Sequence, residues 1–320
     1  MSGNYRIGMD TREMFYDPQI RPAVYIEPGD VVVCESEDAN WSHFLTEEDV
    51  WEHCGELKED CGGGSDPVCG PIYVNGAEEG DFLSIEILDV QAGPWRNGGY
   101  TSIQGEVGWF HNRRMPASEK AATRILNYDN EGNLLMNLEG GREYLKVPAN
   151  NFVGCIGVAP KYDRIPSDHM NKEVCGNVDI PQFKKGSTVV LRCNVDGGLL
   201  SIGDVHAAQG DGEITGCAVE SQGRTTVKVS LIKKADMPYY GFPQVNNDQM
   251  IGSVGVCPHI DMNYCCMEGY ADLICRIEAE YGISQADAYM LLCIAGKIQI
   301  GNGLSAVCMI DREILKKYSK

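Results

Sequence analysis

Apolar and polar positions alternate along much of the chain, and Gly and Pro break the alternation at roughly ten-residue intervals. Leu83, Ile85 and Ile87 face away from Ser84 and Glu86, a near period of two that predicts a strand. Residues 22–35 read as a β-rich run, a Pro-Gly-Asp turn and a Val-rich strand, and 189–195, 198–203 and 226–232 read the same way. Residues 213–220 also alternate, with Glu213, Thr215, Cys217 and Val219 on one side, and are expected to form a strand. The phrases Glu27-Pro28-Gly29-Asp30 and Glu79-Gly80-Asp81 each precede an apolar strand, which points to two similar β-units. Gly-rich and aromatic residues 91–115, with Trp95, Tyr100, Trp109 and Phe110, suit a long loop over a site.

The period changes near the C-terminus. Tyr270, Leu273, Ile274 and Ile277 have helical spacing, predicting a helix over 268–280 stopped by Gly282. Ser284 and Asp287 resemble a capping box opening a second helix through Ala295, with Gly296 at its end, and residues 306–310 form a last strand. The expected fold is mainly β, a β-sandwich, with a small α+β C-terminal unit. One domain over 1–320 is expected. Its parts are an N-terminal β unit (1–160), a β unit carrying the candidate ligands (161–235) and a helical unit (236–320). Residues 41–66 read as an acidic loop insertion, with Thr46 and Asp49 as a variant capping box for a short helix.

Charge narrows the function classes. The chain of 320 residues carries a net charge of -19, which repels nucleic acid, and no basic patch offsets it. No apolar stretch has transmembrane length and the first residues carry no signal-peptide pattern, so no membrane partner and a cytoplasmic address are expected. The 14 cysteines include no C-x-x-C pair. They read as reduced thiols buried as small hydrophobes, Cys155, Cys193 and Cys293 among them. Cys69, read as a loop residue, and the adjacent Cys265-Cys266 are the thiols that stand apart.

The chemistry concentrates in Gly203-Asp204-Val205-His206-Ala207-Ala208-Gln209-Gly210-Asp211-Gly212-Glu213. If 199–206 ends a strand, Asp204 and His206 point to one face and converge. That pair is either a divalent-metal site or a buried hydrogen bond without metal. Glu220 ends an apolar run, where a carboxylate wants a metal or a donor. Asn177 and Asp179 repeat the period-two spacing, and on the residues alone a turn with Asx-type hydrogen bonds explains them better. Hydrolysis of an acyl group by water needs a polariser of the carbonyl and a proton acceptor, which a metal plus one free Asp or Glu supplies. There is no G-x-S-x-G elbow, no Ser-Ser-Lys system, and no Lys-Ser/Thr after Gly62–Gly64, while His43, His53 and His111 stand isolated.

Residues 203–220 as a whole, GDVHAAQGDGEITGCAVE, resemble the signature of the acetamidase/formamidase family. Gly70–Asp81, Phe152–Pro160 and Asp287–Cys293 resemble further phrases of that family in the same order, so the resemblance spans about residues 20–315. It implies hydrolysis of short aliphatic amides to carboxylate and ammonia, a homodimer, and a divalent metal, zinc or alternatively calcium. Carried onto this chain, the metal ligands are Asp204, His206, Asp179 and Glu220. Gln209, Asp211 and Glu213 orient water or substrate. The motif does not fix the base, which is read here as Glu213 or Asp211, and Asn177 and Cys69 are read as substrate contacts. The chain departs from the family where Asp66-Pro67-Val68-Cys69 replaces a phrase ending in Thr, and where Val174-Cys175 stands in place of a His-Gly. The missing His keeps a second reading open, a non-catalytic relative that binds metal or a small ligand. Cys69 opens a third, thiol chemistry.

Overall fold

The structure is a computed structural model. It describes residues 3–50, 66–104, 108–110, 120–141, 143–239, 241–257 and 261–318. Most of the acidic segment 41–66, with Gly62–Gly64 and His53, and also His111, lies outside the described residues. The chain is mainly β with helices near its C-terminus, as the periodicity predicts.

Among the described residues, two large sheets carry the fold. One has nine strands, running from Asn4–Ile7 through Asp30–Ser36, Gly223–Ile232, Phe82–Ala92 and Thr188–Arg192 to the C-terminal strands Met250–Val256, Ser305–Asp311 and Lys297–Ile300. Its central strands show the expected alternation: Thr225, Val227 and Val229 are buried while Lys228 is exposed. The other sheet has twelve strands. At its centre lie Phe152–Gly157 and Leu200–His206, antiparallel neighbours whose residues are buried throughout. Ile85, Val227 and Val229 of the first sheet share one apolar cluster with Val153, Ile156, Leu200 and Ile202 of the second. Each fully buried Val, Leu or Ile contributes about 1.5–3 kcal/mol, which makes this cluster a rigid floor for anything held on the two central strands.

The C-terminal helices form where capping predicts, with one shifted boundary. The helix Met262–Tyr281 starts six residues before the expected 268, because Asp261 caps it by accepting from Tyr264 N. Its first turns bury only Cys265 and Gly269, too little apolar surface to register as a period. Gly282 ends it with φ 70°, and Ser284 caps the helix Gln285–Ala295.

Several expectations are corrected. Residues 213–219 are turn, bend and irregular backbone, and the strand begins only at Glu220–Ser221. Positive φ at Gly212 (89°), Glu213 (42°) and Gly216 (73°) breaks the extended backbone that the alternation suggests. Thr46–Asp49 is a turn in which the Asp49 carboxylate accepts from Leu45 N and Thr46 N. The strand Gly99–Ile103 interrupts the loop expected over 91–115. Cys293 is exposed, and Cys69 lies buried in the strand Val68–Val74.

Candidate functional site

The site grows from the end of the strand Leu200–His206. His206 is paired with Phe152 across the sheet, and its ring stands edge-on to the Phe152 ring at 4.9 Å. Asp204 takes a left-handed backbone, φ 52°, and the ladder to the neighbouring strand skips the Gly154/Asp204 position. Asp204 and His206 nonetheless converge as expected, with His206 Nε2 3.1 Å from Asp204 Oδ1.

Two more carboxylates meet the same nitrogen. Glu220, paired with His206 in the ladder, brings Oε2 to 3.1 Å of Nε2. Asp179 brings Oδ1 to 3.8 Å. It does so from a left-handed residue, φ 47°, just past the strand Cys175–Asn177, so the segment is more than an Asx turn. Asp179, Asp204, His206 and Glu220 are each at most 3% exposed. Glu213 completes the group: His206, Glu213 and Glu220 place ligand atoms within 4.8 Å of one another, as do Asp179, Asp204 and His206.

Each carboxylate divides its oxygens in the same way. Asp179 Oδ2 accepts from Asn302 Nδ2 at 2.9 Å, Glu220 Oε1 accepts from Ala218 N at 2.8 Å, and Asp204 Oδ2 faces the Cys155 thiol at 3.7 Å. The other oxygen of each points toward His206 Nε2. Asp179 Oδ1 and Glu220 Oε2 are buried without a hydrogen-bond partner. Unpartnered buried carboxylate oxygens are costly.

Gly154 makes this approach feasible. A Cβ there would lie 2.3 Å from Asp204 Oδ2 and 2.5 Å from Asp179 Oδ1.

The electrostatics follow from burial. Burial, then the negative charge of Asp204, pushes the Asp179 carboxyl up to about 7. Burial, then Asp179, holds Glu213 well above the ordinary carboxylate range. Burial works to lower the His206 pKa, but Asp204 and Glu220 outweigh it and raise it well above its usual value. A buried nitrogen ringed by carboxylate oxygens, two of them orphaned, fits a divalent cation. Asp179, Asp204, His206 and Glu220 could hold it.

Gln209 orients the imidazole. Its Oε1 lies 2.9 Å from His206 Nδ1, and its Nε2 donates to Asp179 O at 2.9 Å. With Gln209 Oε1 accepting the Nδ1 proton, Nε2 is left as the ligand atom. Asp211 does not join the cluster. It is exposed, and its Oδ1 accepts from Gln299 Nε2 at 3.1 Å. Cys69 does not join it either: its thiol contacts Thr11 Oγ1 and the carbonyls of Ile7 and Gly8. Asn177 sits beside the cluster, with Nδ2 donating to Asp66 Oδ2 at 3.0 Å. Val174, where the family's His is missing, packs with Tyr16, Val68 and Cys155 in a small apolar cluster.

Two contributors, Asp66 and Asn302, escape the reading of the sequence, and Trp109 joins them from the loop expected over 91–115. Asp66, left-handed at φ 56°, is raised well above the ordinary carboxylate range by burial and then by Asp204, Glu220 and Asp179. Trp109 Nε1 donates to Gly212 O at 2.7 Å and so steadies the turn that carries Glu213. Asn302 arrives from the turn between the last two strands of the chain. Its Gly301-Asn302-Gly303 setting signals a hairpin but carries no hint of the site.

The fold is shared with known proteins. The chain is similar to an acetamidase from Mycolicibacterium smegmatis, 29% identical over 224 residues, covering 54% of this chain and 55% of that protein. It is equally similar to a formamidase from Methylophilus methylotrophus, 29% identical over 219 residues, 54% and 53% of the respective lengths. The match thus spans about half the length of these curated relatives. The crystal structure of an acetamidase from Yersinia enterocolitica matches with a TM-score of 0.85 at 29% identity, over 98% of this chain and 93% of that one. The model of the acetamidase/formamidase family matches residues 10–174 and 169–307, a span that includes every member of the His206 cluster, and the chain belongs to that family.

Proposed function

We propose that the chain hydrolyses short aliphatic amides, of the formamide and acetamide class, to a carboxylate and ammonia with the help of a divalent cation, most simply zinc. The observation that carries this reading is the division of oxygens around His206. Three buried carboxylates each anchor one oxygen on the protein and turn the other toward Nε2. Asp179, Asp204, His206 and Glu220 would hold the cation. Bound there, it supplies a Lewis acid for the amide carbonyl and acidifies water.

The protein's own groups do the rest. Glu213, with its carboxyl group turned toward His206 and Glu220, accepts the proton of the attacking water and returns it to the leaving nitrogen. Burial and then the Asp179 charge raise the Glu213 carboxyl above the ordinary carboxylate range, which makes its carboxylate form a stronger base than an ordinary one. Gln209 fixes the tautomer of His206, and the buried surroundings exclude bulk water. Asn177, held by Asp66 beside the cluster, would contact the substrate amide.

The non-catalytic alternative rests on the missing His, whose position Val174 fills in an apolar cluster with Tyr16, Val68 and Cys155. The thiol alternative is disfavoured by the Cys69 contacts with Thr11, Ile7 and Gly8. On the same reading the enzyme is a cytoplasmic homodimer with no nucleic-acid or membrane partner. Every cysteine among the described residues is a free thiol, which suits a reducing cytosol. The helix Gln285–Ala295 exposes Tyr289, Met290 and Ile294, a face suited to a second copy. Ammonia release across a panel of short amides tests the reading. Turnover of formamide or acetamide supports it, and metal binding with no turnover of any amide favours the non-catalytic relative.

A further inference from the structure

We infer that Asn302 is a positioning residue for the cation site: it selects which oxygen of Asp179 is presented to the cation. The inference rests on the cation-binding part of the reading above. Asn302 lies in the turn joining the strands Lys297–Ile300 and Ser305–Asp311, far along the chain from every other member of the cluster. Its Nδ2 donates to Asp179 Oδ2 at 2.9 Å and to Asn177 O at 2.9 Å, with Met170 Sδ a distant third at 3.9 Å. Its Oδ1 accepts from Leu304 N at 3.1 Å. That last bond fixes the orientation of the amide, because a flipped side chain would set two donors face to face.

The consequence falls on Asp179. With Oδ2 held by Asn302, rotation of the carboxylate is blocked, and Oδ1, which has no hydrogen-bond partner, is left pointing at His206 Nε2. The backbone around Asp179 does not hold itself in place: Cys175, Gly176 and Asp179 all have positive φ, at 76°, 85° and 47°. The same turn and the strand after it brace this backbone. Ser305 Oγ donates to Val178 O, and Gly301 approaches so closely that a Cβ would lie 2.1 Å from Val178 O. Gln209 Nε2 donates to Asp179 O at 2.9 Å and reaches Gly301 O at 3.4 Å, tying the His206 side of the site to the same turn.

Ser305 separates positioning from plain bracing. It bonds the same segment from the start of the strand that follows the turn, but touches the Val178 carbonyl and no carboxylate. The experiment compares the full-length chain with Asn302→Ala and Ser305→Ala. Zinc affinity is measured by competition with a chromophoric chelator, metal-free melting temperature by calorimetry, and ammonia release from formamide in parallel. Asn302→Ala is expected to weaken zinc binding by about 10–100-fold, while Ser305→Ala leaves it unchanged and lowers the metal-free melting temperature at least as much. Zinc affinity unchanged in Asn302→Ala, or weakened equally in both variants, overturns the inference. The zinc result stands apart from amide hydrolysis. A wild-type chain that binds zinc and releases no ammonia would refute the proposed reaction while leaving the role of Asn302 to the affinity comparison. Hydrolysis with undiminished zinc binding in Asn302→Ala would refute the role alone.

Discussion

His206 Nδ1 lies 2.9 Å from Gln209 Oε1, and this one contact commits Nε2 to the three carboxylates on the other side of the ring. Gln209→Ala removes the acceptor and frees the ring to change tautomer. Zinc affinity is expected to fall about 10–100-fold, with activity falling alongside it at limiting zinc. Chelator competition measures the first and ammonia release the second. Unchanged affinity would mean that Gln209 does not orient the ring.

Gly154 predicts a sharper effect. Its φ is not in the left-handed region, so Ala is conformationally acceptable there, yet the new methyl would press on Asp204 Oδ2 and Asp179 Oδ1. Gly154→Ala should fold, keep its far-ultraviolet circular dichroism, and lose most of its zinc binding. Wild-type zinc affinity in this variant would show that the two carboxylates do not need to sit where they do.

Asp211 and Glu213 should separate cleanly. Asp211 is exposed and bonded to Gln299, whereas Glu213 reaches the cluster. Glu213→Gln should lower kcat by about 10²–10⁴-fold, the usual worth of a general base, and Asp211→Asn should leave kcat nearly unchanged. The reverse order would move the proton-transfer role to Asp211.

The buried acids also set a pH dependence. An Asp in the unfolded chain titrates near about 3.9, while the folded Asp179 is pushed up to about 7. Between these values the folded chain holds a proton that the unfolded chain has released. The stabilisation is therefore full below the lower value and lost as pH rises through the upper one. His206, also raised on folding, acts in the same direction. The metal-free chain should melt at progressively lower temperature from about pH 5 to about pH 8, above the range of the ordinary surface carboxylates. Saturating zinc, which binds the ionised ligands, should flatten or reverse the trend. A chelated chain whose melting temperature rises steadily over that range would contradict the assignment.

Much of this site can be read from the chain before folding. Asp204, His206, Gln209, Glu213 and Glu220 lie within eighteen residues of one another, and the period of a strand already places the first two on one face. The mainly β fold and both C-terminal helices follow from periodicity and caps. What periodicity cannot supply is backbone handedness. Residues 213–219 alternate like a strand, but left-handed Glu213 and Gly216 turn them into a loop that swings the Glu213 carboxyl toward His206. Nor can local sequence show what the fold delivers from afar. Asn302 acts on Asp179 across 123 residues, and Asp66 across 111 residues on Asn177. Cys69 was drawn to the site by its place in a family phrase, yet it belongs to a buried strand whose thiol faces Thr11.

The most direct test of the central claim is cation-dependent turnover. Ammonia release from formamide and acetamide would be followed for the chain as purified, after exhaustive chelation, and after zinc is restored, with Asp204→Ala and His206→Ala beside it. Chelation is expected to abolish turnover and about one equivalent of zinc per chain to restore it, with neither variant restored. Full activity in the chelated chain, or full metal content and activity in either variant, would contradict it.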